Sequence, residues 1–285
     1  MIKLLNYFFQ SLFIYFLFLI GSLIGLKLSR KIFAYFFFKA GPLFRSNKII
    51  NKNLKICQGS GLNFDQEEIL EKMWKNYGMT FIEYIYLAYF KKNNSHIVIK
   101  GEEILSQIKN KKKPVIFVSG HFANFELMSM EIVKREIKLA TIYRPLNNIF
   151  LNPFMEFLRK KYVCQNQIKK GINGVREVIK YIKESHSIAL MIDQRVSEGE
   201  KIDFFNKPAF TTTLPGHLSI KFNMDIVPVF IKRINDEKFE IEFQKSIKSK
   251  DFNSKYDLSK ELNKILEKMI IKNPNQWIWT HNRWK

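Results

Sequence analysis

The chain is poor in cysteine and in acidic residues. Cys57 and Cys164 are the only thiols in 285 residues, with no CxxC pair and no cluster of cysteine with histidine. That spacing excludes a disulfide framework and a zinc site of the usual kind, and both thiols are expected to be reduced in a cytoplasm-facing domain. There is no internal repeat, no low-complexity tract and no glycine-rich phosphate loop. Asp and Glu number 26 against 47 Lys and Arg, for a net charge of +21. Such an excess implies an anionic partner: nucleic acid, anionic lipid headgroups, or an acidic substrate or carrier. Composition does not choose among them, and part of the lysine excess is ordinary solvated surface. No helix-turn-helix, RNA-recognition or zinc-finger pattern supports nucleic acid as a partner. What the chain has in plenty is apolar: 46% hydrophobic and 15% aromatic residues, with 27 Phe. That fills a real core in one large domain or two modest ones and excludes wholesale disorder.

Charge is absent altogether from Leu4 to Leu26, a run of 23 residues. About 20 apolar residues suffice to span a bilayer, so this stretch predicts a transmembrane helix. A signal peptide would be shorter and would end in a small-residue cleavage site, whereas KLSRK follows here. A buried core helix seldom stays apolar all round for so long. Lys3 stands alone on one side, while Lys27, Arg30, Lys31, Lys39 and Arg45 follow on the other. By the positive-inside tendency the main body then lies in the cytoplasm, below a single pass. Basic and aromatic residues mix over 27–45, as suits an interfacial helix among headgroups: an entry ramp for a lipid substrate, or a second anchor. The expected organisation is an anchor over 1–26, an interfacial segment over 27–50 and one catalytic domain over 51–285.

That domain begins with a helical lead-in to about residue 95. Asp65 is a fitting N-cap, with Glu67 and Glu68 in the first turn of a helix running towards Phe90. From residue 96, short β-rich runs (HIVIK, PVIFVSG, LATIYRP, SIALMID, DIVPVFIKR, KFEIEFQKS) alternate with helical segments near 124–135, 151–161, 174–184, 214–222 and 256–271. The fold class expected is α/β, a largely parallel central sheet flanked by helices and closed by an antiparallel pair.

The most informative segment is PVIFVSGHFANFELM. An apolar strand ends at Ser119-Gly120, His121 follows, and Glu126 comes five residues later as a helix starts. Sites in open α/β sheets gather at the carboxyl ends of strands, where His121 falls. Five residues turn a regular helix through roughly 500°, so the pair cannot share a helix face. His121 therefore belongs in the turn and Glu126 in the first helical turns. So placed, His121 can act as a general base whose tautomer Glu126 fixes. A satisfied structural histidine is the commoner meaning of such a pair, and spacing alone leaves both readings open. Arg144 in IYRP stands at another strand end and could clamp a phosphate bidentately, or pair with a local carboxylate. Asp193 ends the SIALMID strand and could orient Arg144 or Arg195. His186 and His217 have no carboxylate at useful spacing, and no role falls to His281. The aromatic, basic tail WIWTHNRW suits either a membrane interface or a buried C-terminal strand.

GHFANFE resembles the His-x-x-x-x-Asp/Glu block of the glycerolipid acyltransferase superfamily, in its Glu form. The later blocks resemble the lipid A late (lauroyl/myristoyl) acyltransferases: IYRPLNN at 142–148, a Lys-Gly stretch at 169–174, LMIDQRVSEGEKIDFFNKPAFTTT at 190–213 and QWIWTHNRWK at 276–285. Order and spacing agree along nearly the whole chain. Asp193-Gln194 and Phe204-Phe205-x-Lys207-Pro208 are similar to the branch with Asp-Gln and a Phe-Phe-Gly-x-Pro loop. Asn206 departs from that branch's Gly; if the loop needs a positive φ there, Asn is the next most tolerant residue.

The resemblance implies transfer of a fatty acyl chain from an acyl carrier protein thioester, or from acyl-CoA, to a hydroxyl of a Kdo-bearing, phosphorylated lipid A precursor at the bacterial inner membrane. His121 would be the base and Glu126 its partner, with no metal or bound cofactor. Arg144, Arg159, Lys170, Asp193, Gln194, Arg195, Phe205 and Lys207 become candidate substrate contacts for acceptor and carrier, both anionic. The backbone N–H groups after Gly120 are the expected oxyanion donors. Acylation of another membrane acceptor (a lysophosphatidic acid, an ornithine lipid or a phosphoinositol mannoside) shares this chemistry. A non-catalytic polybasic protein would leave the strand–His–helix–Glu arrangement unexplained.

Overall fold

The apolar runs of the second half do form strands. A computed structural model describes residues 2–44, 47–61, 65–196 and 199–284, so Arg45 of the basic flank lies outside the described residues. Strands β1 (Ile97–Lys100), β2 (Ile116–Ser119), β3 (Leu139–Tyr143), β4 (Asn166–Lys169), β5 (Ser187–Met191), β8 (Ile226–Ile234) and β9 (Lys238–Phe243) make a seven-stranded sheet in the order β1-β9-β8-β2-β5-β3-β4. β8, β2, β5, β3 and β4 run parallel. β9 turns back antiparallel on β8, and β1 then lies parallel to β9. The sheet is therefore largely parallel and carries an antiparallel closing pair, as the pattern predicts. β6 (Glu200–Phe204) and β7 (Lys207–Thr211) form a separate hairpin, within a stretch that the resemblance marks as a substrate loop.

Between the strands run α6 (Glu102–Lys111), α7 (Glu126–Lys134), α8 (Asn152–Leu158), α9 (Ile172–Lys183) and α10 (Leu214–Phe222), and α11 (Lys255–Lys272) follows β9. A short π-helical turn, Arg159–Val163, extends α8. The central strands β2 and β5 are buried on both faces, which is why they read as unbroken apolar runs.

Four longer helices precede the sheet: α1 (Ile2–Ile24), α2 (Leu26–Phe44), α3 (Asn47–Gln58) and α4 (Gln66–Glu83), with the short α5 (Leu87–Lys92) after them. Asp65 caps α4 as expected, accepting from the backbone N–H of Glu67 at 2.9 Å and Glu68 at 3.2 Å. α1 is long and apolar enough to cross a membrane, and most of its surface is exposed. α2 packs lengthwise on α4. At Gly78 a Cβ would come within 2.1 Å of the Phe33 carbonyl oxygen, so only glycine permits this approach.

A buried ion cluster joins these helices to the sheet. Glu83 of α4 accepts from Arg30 of α2 at 2.7 Å and from Arg233 of β8 at 2.5 Å, while Asn124 donates to its other oxygen at 3.0 Å. Burial would raise the Glu83 pKa, but the charges of Arg233 and Arg30 outweigh it and hold the carboxyl below its ordinary value. Breaking such a pair from one side typically costs about 3–5 kcal/mol, so the helical lead-in is locked to the sheet.

The C-terminal segment is neither a membrane-surface element nor a strand of the sheet. Trp277 and Trp279 are fully buried, and Trp277 makes an isolated bridge to Phe122. Arg283 lies 3.9 Å from the centre of the Phe204 ring and donates to Asn263 and Thr211.

Candidate active site

The geometry of the site follows from the pairing of β2 with β5. Their last register pair is Ser119 with Met191, and the main chain stays linked one step further through Ile192 N–H to the Ser119 carbonyl at 2.9 Å. Two residues beyond that pair, on each strand, stand His121 and Asp193. Asp193 Oδ1 lies 2.7 Å from His121 Nδ1, and its Oδ2 accepts from the His121 backbone N–H at 2.8 Å. The indole N–H of Trp277 donates to the same Oδ2 at 2.9 Å. Asp193 is buried, whereas the His121 side chain keeps 16% of its surface open. Burial alone would raise the Asp193 pKa. The His121 charge, its side-chain and backbone hydrogen bonds and the Trp277 donor reverse that and hold the carboxyl well below the usual carboxylate range. Nδ1 is thus occupied by Asp193, and the partner nearest Nε2 among the described residues is Gln194.

Gln194 is the next contributor. Its carboxamide nitrogen is 3.3 Å from Nε2 and 3.4 Å from Nδ1, close against the ring. Phe125 covers the imidazole edge-on at 4.6 Å between ring centres. The turn itself is tight, with Ala123 at φ +44°.

The partner expected for His121 is displaced. Glu126 is the first residue of α7, as its spacing requires, but its Oε1 takes the Arg159 Nε–H at 2.6 Å and the Tyr84 hydroxyl at 2.7 Å. Among the described residues no hydrogen bond joins it to His121. The reason is topological: the turn ends before Glu126, and α7 carries it toward α4 and the π-helical turn, while Asp193 enters from the adjacent strand. Burial would depress Arg159, but Glu126 and Tyr84 more than compensate and keep it charged. Asp193 accordingly holds the histidine, not Arg144 or Arg195.

The other candidates divide. Arg144 is exposed just past β3, and Arg195 is exposed with its guanidinium 5.0 Å from the Phe210 ring centre. Lys170 follows β4, its backbone N–H bonded to the Tyr143 carbonyl at 2.9 Å. Lys207 is exposed at the turn end of the β6–β7 hairpin, whose other end follows Gln194. Phe205 is buried, 3% exposed, and presents no open surface in this structure. Its side chain packs against Phe204 and Trp284, and its backbone N–H donates to Glu267 at 2.7 Å. Phe205 and Asn206 both have positive φ, +52° and +57°, so the Asn in place of Gly meets a left-handed turn position as expected.

The oxyanion expectation is also corrected. The N–H of His121 is spent on Asp193, that of Phe122 on the Gly120 carbonyl at 2.9 Å, and that of Ala123 on the Gln276 carbonyl at 3.1 Å. Sequence reasoning missed Tyr84 and Trp277 as parts of the site, because both come from segments whose approach to it only the packing reveals. No group of three His, Cys, Asp or Glu side chains gathers as a metal site among the described residues.

Comparison with known proteins adds the decisive observation. The profile of the family described as bacterial lipid A biosynthesis acyltransferase matches residues 1–285. The chain belongs to that family. It is therefore a lipid A acyltransferase by family, and an enzyme. Similar curated relatives include the lipid A biosynthesis acyltransferase of Haemophilus influenzae, 23% identical over 248 residues, covering 85% of this chain and 78% of the relative. The lipid A biosynthesis lauroyltransferase of Escherichia coli is 22% identical over 248 residues, 85% of this chain and 79% of the relative. The palmitoleoyltransferase from the same organism is 22% identical over 249 residues with the same coverage. The relatives differ in the acyl group their names carry, so family membership fixes the reaction class and not the acyl chain.

Proposed function

We propose that this lipid A acyltransferase moves a fatty acyl chain from an acyl carrier protein thioester to a hydroxyl of a Kdo-bearing lipid A precursor, with His121 as general base. The observation that carries the reading is the Asp193–His121 pair at the carboxyl edge of the sheet. A sugar hydroxyl is a poor nucleophile near neutral pH and needs its proton removed as it attacks. With Nδ1–H directed at Asp193, His121 Nε2 accepts that proton. The hydroxyl oxygen bonds to the thioester carbonyl carbon, the carbon–sulfur bond breaks, and the imidazolium returns its proton to the departing thiolate. Asp193 stays ionised throughout and stabilises the imidazolium. The Gln194 carboxamide is the side-chain donor nearest to Nε2 and serves the developing oxyanion. Glu126 fixes Arg159 beside the site, and Arg144, Arg195, Lys170 and Lys207 supply cationic contacts for acceptor phosphates and the acidic carrier. The enzyme is attached by α1 to the bacterial inner membrane, with its catalytic domain on the cytoplasmic face.

The test is direct. Membranes carrying the wild-type chain, incubated with acyl carrier protein thioester and Kdo-lipid IVA, should yield a product heavier by one acyl chain in mass spectrometry. His121→Ala should lower the rate by about 10²–10⁴-fold, the usual contribution of a positioned general base. Absence of any acylated product with wild type would remove this acceptor. Equal rates in both proteins would remove His121 as the base.

A further inference from the structure

α1 is not a free tether. Its three buried residues, Ser11, Phe18 and Gly21, lie along one face, and that face rests on the catalytic domain. At its C-terminal end the Gly21 carbonyl accepts from the Tyr86 hydroxyl at 2.6 Å, and a Cβ at Gly21 would meet Ile82 at 2.3 Å. Further up, Phe18 packs against Phe81 and Phe154. Tyr15 donates its hydroxyl to the Phe150 carbonyl at 2.8 Å. Near the N-terminus Asn148 donates to the Tyr7 carbonyl at 2.7 Å, and the Phe8 and Phe150 rings meet at 5.5 Å. From Tyr7 to Gly21 is about 21 Å of helix at roughly 1.5 Å per residue. The domain therefore runs alongside most of the segment that is apolar enough to enter a membrane.

The stretch of domain beside α1 is itself apolar and exposed. Ile149 is 58% exposed and Phe157 51% exposed, with Leu146 and Phe150 also open. Around Phe157 the surface is basic: Lys160 and Lys161 are exposed, Lys161 extends over the Phe157 ring at 5.0 Å, and Lys91 reaches the Lys161 carbonyl at 2.7 Å. Exposed aromatics rimmed by lysines are what an anionic leaflet receives: apolar groups enter the acyl region and ammonium groups stay at the phosphates.

We propose that the segment 146–157 enters the leaflet together with α1, as one apolar wedge, with Lys91, Lys160 and Lys161 on anionic headgroups. The inference deepens the membrane placement proposed above and rests on it. Its consequence for the reaction is positional. Phe157 faces lipid, while Arg159, two residues on, turns inward to Glu126, so a single short segment links the leaflet to the site.

The test reads depth instead of turnover. Single cysteines at Ile149, Leu12 and Ser106 carry an environment-sensitive fluorophore in the full chain, reconstituted into vesicles of phosphatidylcholine with phosphatidylglycerol. Burial raises the thiol pKa of both native cysteines, that of Cys164 to about 11, so they label slowly and wild type gives the background. Lipids brominated on the acyl chain should quench probes at Leu12 and Ile149 severalfold more than the probe at exposed Ser106, which aqueous iodide should quench instead. Quenching at Leu12 with Ile149 behaving like Ser106 would overturn the proposal and leave α1 entering alone. Iodide quenching at all three positions would overturn the membrane placement as well. Lys160→Glu with Lys161→Glu should reduce the dependence of Ile149 quenching on phosphatidylglycerol, and an unchanged dependence would remove the headgroup contacts.

Discussion

The two buried carboxylates of the candidate site, Asp193 and Glu126, have different partners. Asp193 and Glu126 each accept two or more hydrogen bonds and each faces a basic group, but Asp193 faces the imidazole and Glu126 faces a guanidinium. Asp193 stands 72 residues from the histidine along the chain, Glu126 only five. The nearer acid has no hydrogen bond to the histidine because its carboxylate is taken by Arg159 and Tyr84. The distant acid gained it because parallel strands in register bring their carboxyl ends together. A motif written as a spacing can thus name a histidine and an acid that the fold does not join by a hydrogen bond.

This contrast is open to breakage, beginning with the largest effect. Asp193→Asn should lower kcat by about 10²–10⁴-fold, because an amide no longer favours the tautomer that leaves Nε2 basic. Glu126→Gln should cost only about tenfold and act mainly through KM, since Arg159 would lose its anchor while His121 keeps its own. Steady-state kinetics on both variants decides it, and the reverse order would hand the orienting role back to Glu126. A smaller effect is expected of Trp277→Phe, which deletes one donor to Asp193. A hydrogen bond to a charged group is typically worth about 1.5–3 kcal/mol, so a loss on the order of tenfold in kcat is expected. Losing that donor raises the Asp193 pKa; steady-state kinetics on the variant reads the rate loss, and an unchanged kcat would remove Trp277 from the support of Asp193.

The smallest effect is on acid stability. Asp193 has a folded pKa depressed below its unfolded value, so its stabilising contribution is present above the ordinary aspartate range, about 4. It is lost as pH falls through that range toward the folded value. Between pH 7 and pH 3 the wild-type Tm should therefore fall more steeply than that of Asp193→Asn. Parallel curves would show that the carboxylate carries no such linkage.

Much of the fold was legible from periodicity, and the reasons for the gaps are physical. All six strands named from apolar runs formed; β2 and β5 are buried on both faces and admit few polar residues, while β1 at the sheet edge alternates. β4 was missed because NQIK is short, polar and at the sheet edge. The β6–β7 hairpin was missed because Phe205-Asn206 is a poor turn signal: a bulky aromatic seldom takes positive φ. α6 was missed because it is a short polar helix with Leu105 its one fully buried side chain. His121 could be found from its place after a strand, and Glu126 could be placed at the helix start. The Asp193–His121 contact could not, because it depends on strand order and register. Trp277 reads from sequence as either an interfacial aromatic or part of a buried C-terminal strand; only packing shows its indole N–H directed at a carboxylate.

The burial of Trp277 against Asp193 has a consequence for how the enzyme comes into being. Translation delivers α1, a helix long and apolar enough to cross a membrane, well before Trp277, which completes the set of donors to Asp193. On the membrane attachment proposed above, α1 is ready for the bilayer before Asp193 has its full set of donors, and a chain cut short before Trp277 would lack one of them.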